Sequence, residues 1–414
     1  MKKITSLFLS LALVLSLTLF SACGKTEKAH HADHSQFVKN EELSFLYEVT
    51  YYDYDWNDVT EYLEGSAANN ASGEAMGCSA VHSGNFFGRS FDYFLLDKPG
   101  ILLRTEHKDG RFASIGIAGG NFSFDGQKLE SINAGNGTAD DLLNEKLLPF
   151  AMIDGMNENG VICCGNVVPA HDFAAHEGEE EYYTHGTNPG KEDLYYQFVI
   201  RYVLDNAKSA EHAVELLRNR NITALNSKGE MRDYQGVGTL GYELHYMIAD
   251  KDNTYIVELV NDRMSVIAGD IMTNFYLSYM TPSGVGHERY RILYDNYQDV
   301  HSVSDMKTLI EQVRYSNAYR IDLENQDSAY WPTEMSSQKR PYYETEKWSR
   351  ENWETVKAKF GSYNEIVKNE IRSPKGGDGI PWISFHAEVY DIENRTLNLC
   401  TQENYDNWVE FKIN

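Results

Sequence analysis

The stretch Met76-Gly-Cys-Ser-Ala-Val-His-Ser-Gly-Asn-Phe-Phe-Gly-Arg-Ser-Phe-Asp-Tyr93 decides how this chain is organised. Two short strand-like segments, Ala80-Val-His82 and Asn85-Phe-Phe-Gly88, flank a Ser83-Gly84 turn and predict a β-hairpin. Cys78 stands at the start of the first strand, directly after a loop of small residues. We therefore expect a thiol at the first position of the first strand of the domain.

Arg89 and Asp92 lie near the end of the second hairpin strand, so the hairpin brings both back towards Cys78. A thiol needs a base to attack an amide near neutral pH, because its ordinary pKa is about 8.5. A free α-amino group titrates around pH 8, and cleavage after Gly77 would place one on Cys78 itself. Arg89 would favour the thiolate by its charge, and Asp92 would hold the amino group.

The same residues also have simpler interpretations. A free cysteine is often a buried core residue, and an arginine–aspartate pair on a surface contributes little to stability. The position of Cys78, between a flexible loop and the Arg89/Asp92 pair, favours the nucleophile. Because the nitrogen of Cys78 is an amide before cleavage, such an enzyme must be made as an inactive precursor.

Outward from the hairpin, the sequence alternates between paired strands and a few helices. Apolar spacing predicts helices at residues 140–148, 193–205, 209–219 and 304–313. Strands are predicted at residues 101–105, 112–117, 151–153, 161–168, 244–248, 254–259, 264–268, 382–390 and 396–401. Paired strands with a helix pair between them indicate an α+β domain, and two stacked antiparallel sheets between helical layers would fit this order.

The N-terminus has the pattern of a targeting signal. Lys2-Lys3 precedes an apolar run from Leu7 to Phe20, and small residues follow, as in a secretory signal peptide. Phe20-Ser-Ala-Cys23 also resembles a bacterial lipobox, in which the cysteine takes a lipid. The alternative is an ordinary signal peptide cut near Ala22, which would release a secreted protein. We expect a lipoprotein signal peptide at 1–22, a lipid-anchored linker and propeptide at 23–77, and a catalytic domain at 78–414.

Composition bears on partners and on redox state. The 414-residue chain has a formal net charge of −25, and such acidity argues against nucleic acid, whose binding depends on lysine and arginine. With Cys23 lipidated, Cys78, Cys163, Cys164 and Cys400 remain, and no pair has the spacing of a zinc site. The adjacent Cys163 and Cys164 lie in an apolar run and are predicted to be core residues.

Further motifs follow the hairpin in a fixed order. They are Asp154-Gly-Met-Asn-Glu-Asn-Gly160, Gly165-Asn166, Leu244-His-Tyr-Met-Ile-Ala-Asp250, Met272-Thr-Asn274 and Arg289-Tyr-Arg291. Together with Gly77-Cys-Ser79 and Phe87-Gly-Arg-Ser-Phe-Asp-Tyr93, they resemble choloylglycine hydrolases and penicillin V acylases, which are N-terminal-nucleophile hydrolases of linear amides. Each motif alone has modest specificity, whereas the ordered set is strong. The resemblance covers the chain from about Gly77 to Leu293.

The resemblance implies an αββα sandwich and assigns further site residues. Asn166 and Asn274 match the segments that hold the two oxyanion-hole asparagines, and Arg289 matches the later arginine motif. From the residues alone, both asparagines could be turn or strand-end residues, and for Asn274 the two interpretations are about even. Arg289 could be a solvated charge at a helix start.

The sequence departs from the family pattern in three places. Ser90 stands where an asparagine is usual, and Gly165 replaces a common leucine. The long segment before Cys78 excludes removal of a single methionine, so internal cleavage is required. Acid ceramidase and its relatives have such an internal cut, and their N-terminal piece stays associated.

The predicted function is hydrolysis of a linear amide bond in a small N-acyl substrate, with no metal or organic cofactor. Conjugated bile salts, penicillin V, N-acyl amino acids, acyl-homoserine lactones and ceramide-like amides all suit this chemistry. One alternative is acyl transfer through the same thioester, and another is a non-catalytic ligand-binding lipoprotein. The expected location is extracytoplasmic, on the bacterial cell membrane through Cys23, with the propeptide as a possible partner and the oligomeric state open.

Overall fold

The computed structural model describes residues 32–43, 46–59, 78–94, 100–118, 146–168, 190–223, 244–260, 263–277, 284–314, 382–401 and 404–413. The predicted signal peptide, the lipidation at Cys23 and most of the helix predicted at residues 140–148 lie outside the described residues.

The larger sheet has ten strands, in the order β1-β3-β6-β7-β8-β9-β12-β13-β14, with β2 also paired to β3. Its strands are β1 Asp33–His34, β2 Val38–Lys39, β3 Leu46–Asp53, β6 Gly100–Thr105, β7 Ser114–Ala118, β8 Met152–Asn157, β9 Ile162–Val167, β12 Leu244–Ala249, β13 Thr254–Val260 and β14 Arg263–Ala268. Its pairs are antiparallel except for β3 and β6, which run parallel.

The second sheet has six strands, in the order β15-β4-β5-β18-β19-β20, and all its pairs are antiparallel. Its strands are β4 Ser79–Ser83, β5 Phe86–Phe94, β15 Ile271–Met272, β18 Trp382–Asp391, β19 Thr396–Thr401 and β20 Asn404–Lys412. The predicted hairpin is confirmed as β4 and β5, joined by a turn in which Gly84 has φ +58°. The described residues also contain two small strand pairs: β10 Glu192–Tyr195 with β11 Arg220–Thr223, and β16 Asn274–Phe275 with β17 Gly284–Val285.

Besides helical residues 56–59, four α-helices within the described part of the chain cover the outer faces of the two sheets. They are α1 Val199–Asn206, α2 Ala210–Arg218, α3 His287–Asn296 and α4 Val303–Val313. Ser209 caps α2 by accepting a hydrogen bond from the backbone of His212, as its place in the sequence predicted. Gly88 on β5 allows α4 to lie close, because a Cβ there would come within 3 Å of Met306 and Ile310.

Three apolar layers show how the elements stack. In the first, Val199 and Val203 of α1 pack with Leu103 and other residues of the larger sheet. In the second, the inner faces of the two sheets meet, for example Ile115 with Phe87. The third packs the second sheet against α3 and α4. The order helix, sheet, sheet, helix confirms the predicted α+β fold, an αββα sandwich.

The segment before Cys78 is built into the larger sheet. Strand β3 pairs with β6 along its length, and Val49 and Tyr51 are buried in the first apolar layer. The hydroxyl of Tyr54 donates to Asp205 at 2.5 Å, and Trp56 Nε1 donates to the same carboxylate at 3.0 Å. Residues 46–59 thus share a core with the region predicted as the catalytic domain.

One predicted helix begins later than its periodicity suggests. Residues Glu192–Tyr195 form β10, which pairs in parallel with β11, and α1 begins only at Val199. In β10 the first two residues are exposed and Leu194 and Tyr195 are buried, so tertiary packing outweighs a helical pattern at this point.

Candidate active site

Cys78 lies fully buried at the first position before β4. Its Sγ is 3.8 Å from the backbone oxygen of Asp92, which β5 brings back beside it through the hairpin. Burial raises the pKa of the Cys78 thiol above its ordinary value, while the positive charge of Arg89 acts in the opposite direction. In the uncut chain the thiol is therefore held in its protonated form near neutral pH.

Arg289 connects the nucleophile strand to Asn274. Its Nη1 donates to the backbone oxygen of Cys78 at 2.6 Å and to Ser79 Oγ at 2.8 Å, and its Nη2 donates to Asn274 Oδ1 at 2.8 Å. Gly286, which precedes α3 with φ +96°, makes room for this side chain, since a Cβ there would lie 2.6 Å from Arg289 Nη2.

The Asp92 carboxylate is held by two serines and faces one arginine. Its Oδ1 accepts hydrogen bonds from Ser90 Oγ at 2.7 Å and from Ser384 Oγ, and its Oδ2 lies 3.9 Å from Arg289 Nη1. Ser90, the residue that departs from the family pattern, thus positions this carboxylate. Because Asp92 is buried and fixed by hydroxyl donors, its carboxylate can accept a hydrogen bond from a donor near the start of β4.

Arg89 acts on Cys78 only through its charge, because its hydrogen bonds go to the opposite sheet. Its Nη1 donates to the backbone oxygen of Ile153 at 2.9 Å and forms an ion pair with Asp154, and its Nη2 donates to the oxygen of Gly165 at 2.6 Å. The guanidinium therefore joins β5, which carries Asp92, to β8 and β9.

Asn166 and Asn274 lie on neighbouring segments, both fully buried. Asn166 Nδ2 donates to the oxygen of Thr273 at 3.1 Å and of Met272 at 3.4 Å, and Asn274 Nδ2 donates to the oxygen of Val167 at 2.7 Å. Asn274 reaches Cys78 through Arg289. Asn166 is linked to this group through the 272–274 backbone and makes no direct hydrogen bond to Cys78 within the described residues.

Arg89 belongs to a buried ionic group that we call the inter-sheet cluster. Its members are Arg89, Asp154, His386, Glu388 and Tyr390. His386 Nε2 lies 2.8 Å from Glu388 Oε1 and 3.6 Å from Asp154 Oδ2, and Tyr390 donates to Asp154 Oδ1 at 2.8 Å. Ligand atoms of Asp154, His386 and Glu388 lie within 4.8 Å of one another. Both Asp154 oxygens are already engaged, Oδ2 by the ion pair with Arg89 and Oδ1 by the hydrogen bond from Tyr390.

Several residues of this region gave no signal in the sequence. Ser384 lies in a C-terminal strand that looked generic, and His386 and Glu388 follow it at the alternate positions of β18 that face inwards. His245, within a recognised motif, contacts the oxygen of Thr273 at 2.8 Å. Only the register of the sheets brings these side chains to the site.

The remaining described cysteines, Cys163, Cys164 and Cys400, are free and buried, as their apolar surroundings predicted for the first two. Burial raises the pKa of Cys164 and of Cys400 to about 12, which makes them inert thiols at neutral pH. Among the described residues, no helix has the length and apolar character needed to cross a membrane.

Comparison with known proteins places this site in a family context. Residues 121–321 match the family model of linear amide C-N hydrolases, choloylglycine hydrolase family. That segment contains Asn166, Asn274 and Arg289, whereas Cys78, Arg89 and Asp92 precede it.

No curated protein matches the chain, but solved structures do. A point mutant of conjugated bile acid hydrolase from Clostridium perfringens is 14% identical, with 82% of this chain and 92% of that chain covered and a TM-score of 0.40. Penicillin V acylase from Agrobacterium tumefaciens is 13% identical, with 78% and 82% covered and a TM-score of 0.34. Over residues 121–321, the chain is similar to the choloylglycine hydrolase family of linear amide C-N hydrolases.

Proposed function

We propose that this protein is an N-terminal-nucleophile cysteine hydrolase that cleaves the linear amide bond of a small N-acyl substrate. Its nucleophile is Cys78, which becomes the N-terminus when the bond after Gly77 is cut. The observation that carries the proposal is the junction at Cys78. There the hairpin brings Asp92 beside the buried thiol, and Arg289 links the Cys78 backbone oxygen to Asn274.

The first step of the proposed reaction uses the residue's own amine as the base. The α-amino group takes the thiol proton, and Sγ forms a bond to the amide carbonyl carbon. When the C–N bond breaks, the leaving amine takes that proton and a thioester remains. Water then attacks the thioester, releasing the carboxylic acid and restoring the thiol.

The surrounding residues have defined tasks in this scheme. Asp92, fixed by Ser90 and Ser384, holds the new amino group. Arg289 and Arg89 supply positive charge on two sides of the thiolate. Asn166 and Asn274 are the proposed oxyanion donors, and one such donor typically contributes ~10²–10³ in rate.

The N-terminal segment is proposed to stay bound after the cut. Strand β3 and the Tyr54 and Trp56 hydrogen bonds to Asp205 hold residues 46–59 in the sandwich independently of the Gly77–Cys78 bond. If Cys23 carries a lipid, this segment would keep the catalytic chain on the extracytoplasmic face of the membrane.

The decisive experiment is the intact mass of the purified precursor, expressed without its signal peptide. We expect wild-type protein and a Cys163→Ala control, which loses a buried thiol elsewhere, to yield two fragments joined non-covalently. Cys78→Ala should stay whole and hydrolyse none of a panel of N-acyl amides. A Cys78→Ala protein that is cut and active would contradict the proposal.

The same assay separates hydrolysis from acyl transfer, because a thioester can be captured by any nucleophile. Added acceptor amines would yield N-acyl products in place of the free acid if transfer is the main reaction. A wild-type precursor that stays uncut, also at low pH and with a protease, would favour the non-catalytic ligand-binding lipoprotein.

A further inference from the structure

The inter-sheet cluster contains two side chains that can carry positive charge and two that can carry negative charge, and all four are almost completely buried. Arg89 and Asp154 form one ion pair, and His386 and Glu388 form the other. Arg89, Asp154 and Glu388 are fully buried, and His386 is 1% exposed. A buried charge without a partner costs several kcal/mol, so the number of cations and anions here must match.

The register of the second sheet places this cluster directly beside the nucleophile's hairpin. Glu388 is the partner of Arg89 across β18 and β5, and His386 is the partner of Phe91, whose ring it stacks on at 5.1 Å. Phe91 stands between Ser90, which pairs with Ser79, and Asp92, whose backbone oxygen lies 3.8 Å from the Cys78 thiol. His386, whose charge can change, therefore lies two strands away from the strand that begins beside the thiol.

We infer that His386 and Glu388 are positioning residues for the proposed hydrolysis. As a protonated histidine and a carboxylate, they keep the whole cluster neutral beside the Arg89–Asp154 pair, and so keep the guanidinium bound to β8 and β9. This inference rests on the proposed function. It assigns to β18 a role in fixing the charge behind Cys78.

The cluster contains the charge balance that this role requires. His386 contacts the carboxylates of Glu388 on its own strand and of Asp154 on β8. Arg89 on β5 and Tyr390 on β18 bind Asp154, and the Cys164 thiol on β9 lies within the electrostatic reach of Arg89, Asp154 and Glu388. With His386 neutral, two carboxylates would face one guanidinium. With His386 protonated, two cations face two anions, which fits the short His386–Glu388 contact.

The titration of the two residues agrees with this geometry. Burial alone would lower the pKa of His386, but the Glu388 and Asp154 carboxylates outweigh burial and raise it to about 9. Burial and the charge of Asp154 raise the pKa of Glu388 to about 7. The balanced state is therefore expected between about pH 7 and pH 9, and above it the cluster keeps an unpaired carboxylate.

The test compares the single variant His386→Gln with the double variant His386→Gln/Glu388→Gln. The single variant leaves an extra buried carboxylate, whereas the double variant restores equal charges with fewer native contacts. At pH 8 we expect kcat/KM of the single variant to fall about tenfold, which corresponds to one pKa unit at the thiol. The double variant should recover to within about threefold of wild type.

The pH profile separates this role from a loss of packing. In His386→Gln, Glu388 can take up the missing proton at pH 6, so the defect should shrink there. It should be largest near pH 8 and shrink again above about pH 9, where wild type itself loses the His386 proton. A packing defect would lower activity equally at each pH and would be worse in the double variant, which would overturn the inference. His107→Gln, which removes an exposed histidine paired with Glu158 at 2.5 Å, is the matched control and should match wild type.

Alkylation of Cys78 by iodoacetamide in the processed protein gives a readout without any substrate. If no amide is hydrolysed but His386→Gln slows alkylation and the double variant restores it, the proposed function fails while the effect of the His386–Glu388 pair on the Cys78 thiol stands. Equal alkylation in all three proteins would overturn the inference. Stoichiometric metal in the purified wild type, lost in His386→Gln, would also overturn it by making these residues ligands.

Discussion

Two buried ionic groups in this molecule use the same kinds of side chain in different ways. One is the inter-sheet cluster. The other, which we call the N-terminal cluster, consists of Tyr54, Trp56, Arg201 and Asp205. In the N-terminal cluster, Arg201 Nε lies 2.7 Å from Asp205 Oδ1, and Tyr54 and Trp56 donate to the two oxygens of that carboxylate.

The two groups differ in how their charge is balanced. The N-terminal cluster pairs one guanidinium with one carboxylate, so its charges match one to one without a histidine. The inter-sheet cluster has two carboxylates and depends on the proton of His386 for its balance. The N-terminal cluster is suited to holding two parts of the chain together. The inter-sheet cluster can gain or lose a proton when the charge around it changes.

The largest expected effect comes from removing the anion of the N-terminal cluster. Asp205→Asn, made in Cys78→Ala precursor, leaves Arg201 buried without a counter-charge and should lower the free energy of unfolding by about 3–5 kcal/mol in urea. Asp252→Asn, which breaks an exposed pair with Lys251, is the control and should leave the urea midpoint unchanged. A loss as small as the control's would show that this cluster does not hold the segment.

A smaller effect is expected from the same substitution in the inter-sheet cluster. Asp154→Asn leaves Glu388 as an anion beside Arg89, and His386 can release its proton to restore the balance. We expect a loss of about 1–3 kcal/mol, mainly from broken hydrogen bonds to the carboxylate. If Asp154→Asn costs as much as Asp205→Asn in the same urea titration, the inter-sheet cluster cannot rebalance.

The pH dependence of stability should also distinguish the two clusters. A raised histidine pKa gives stability that is fully present below the ordinary value of about 6.5 and is lost as the pH rises through about 9. The Tm of the Cys78→Ala precursor should therefore fall across this range by calorimetry. The fall should be flatter after His386→Gln/Glu388→Gln, and an identical slope in both proteins would contradict the assignment.

The smallest effect is expected from Tyr390→Phe. It removes one hydrogen bond to Asp154, which keeps its pairing with Arg89, so the expected loss is about 1 kcal/mol. Tyr54→Phe removes the matching phenol from Asp205 and provides the comparison in the same urea titration. A loss above about 3 kcal/mol for Tyr390→Phe would mean that the phenol, rather than Arg89, holds Asp154.

The nucleophile's hairpin could be predicted because its information is local. A turn glycine, alternating apolar residues and the spacing from Cys78 to Asp92 are all within one short stretch. The αββα sandwich could be predicted only from the resemblance, because periodicity alone does not establish how the layers stack. The roles of Cys78, Arg89, Asp92, Asn166, Asn274 and Arg289 stay predictions.

What the sequence did not indicate depends on contacts between distant segments. Ser384, His386 and Glu388 reach the site through the pairing of β18 with β5, which joins residues hundreds of positions apart. The helix predicted at residues 193–205 begins late because β11 pairs with its first residues. Composition and periodicity contain no information on such pairings.

The parallel pairing of β3 with β6 has a consequence for assembly. The connection between these strands runs through Gly77–Cys78, so the proposed cut would turn one chain into two. In the precursor the connection gives β3 a high effective concentration next to β6, which the cut pieces lose once separated. The precursor should therefore refold at any dilution, whereas processed protein, once denatured, should recover at a rate proportional to its concentration.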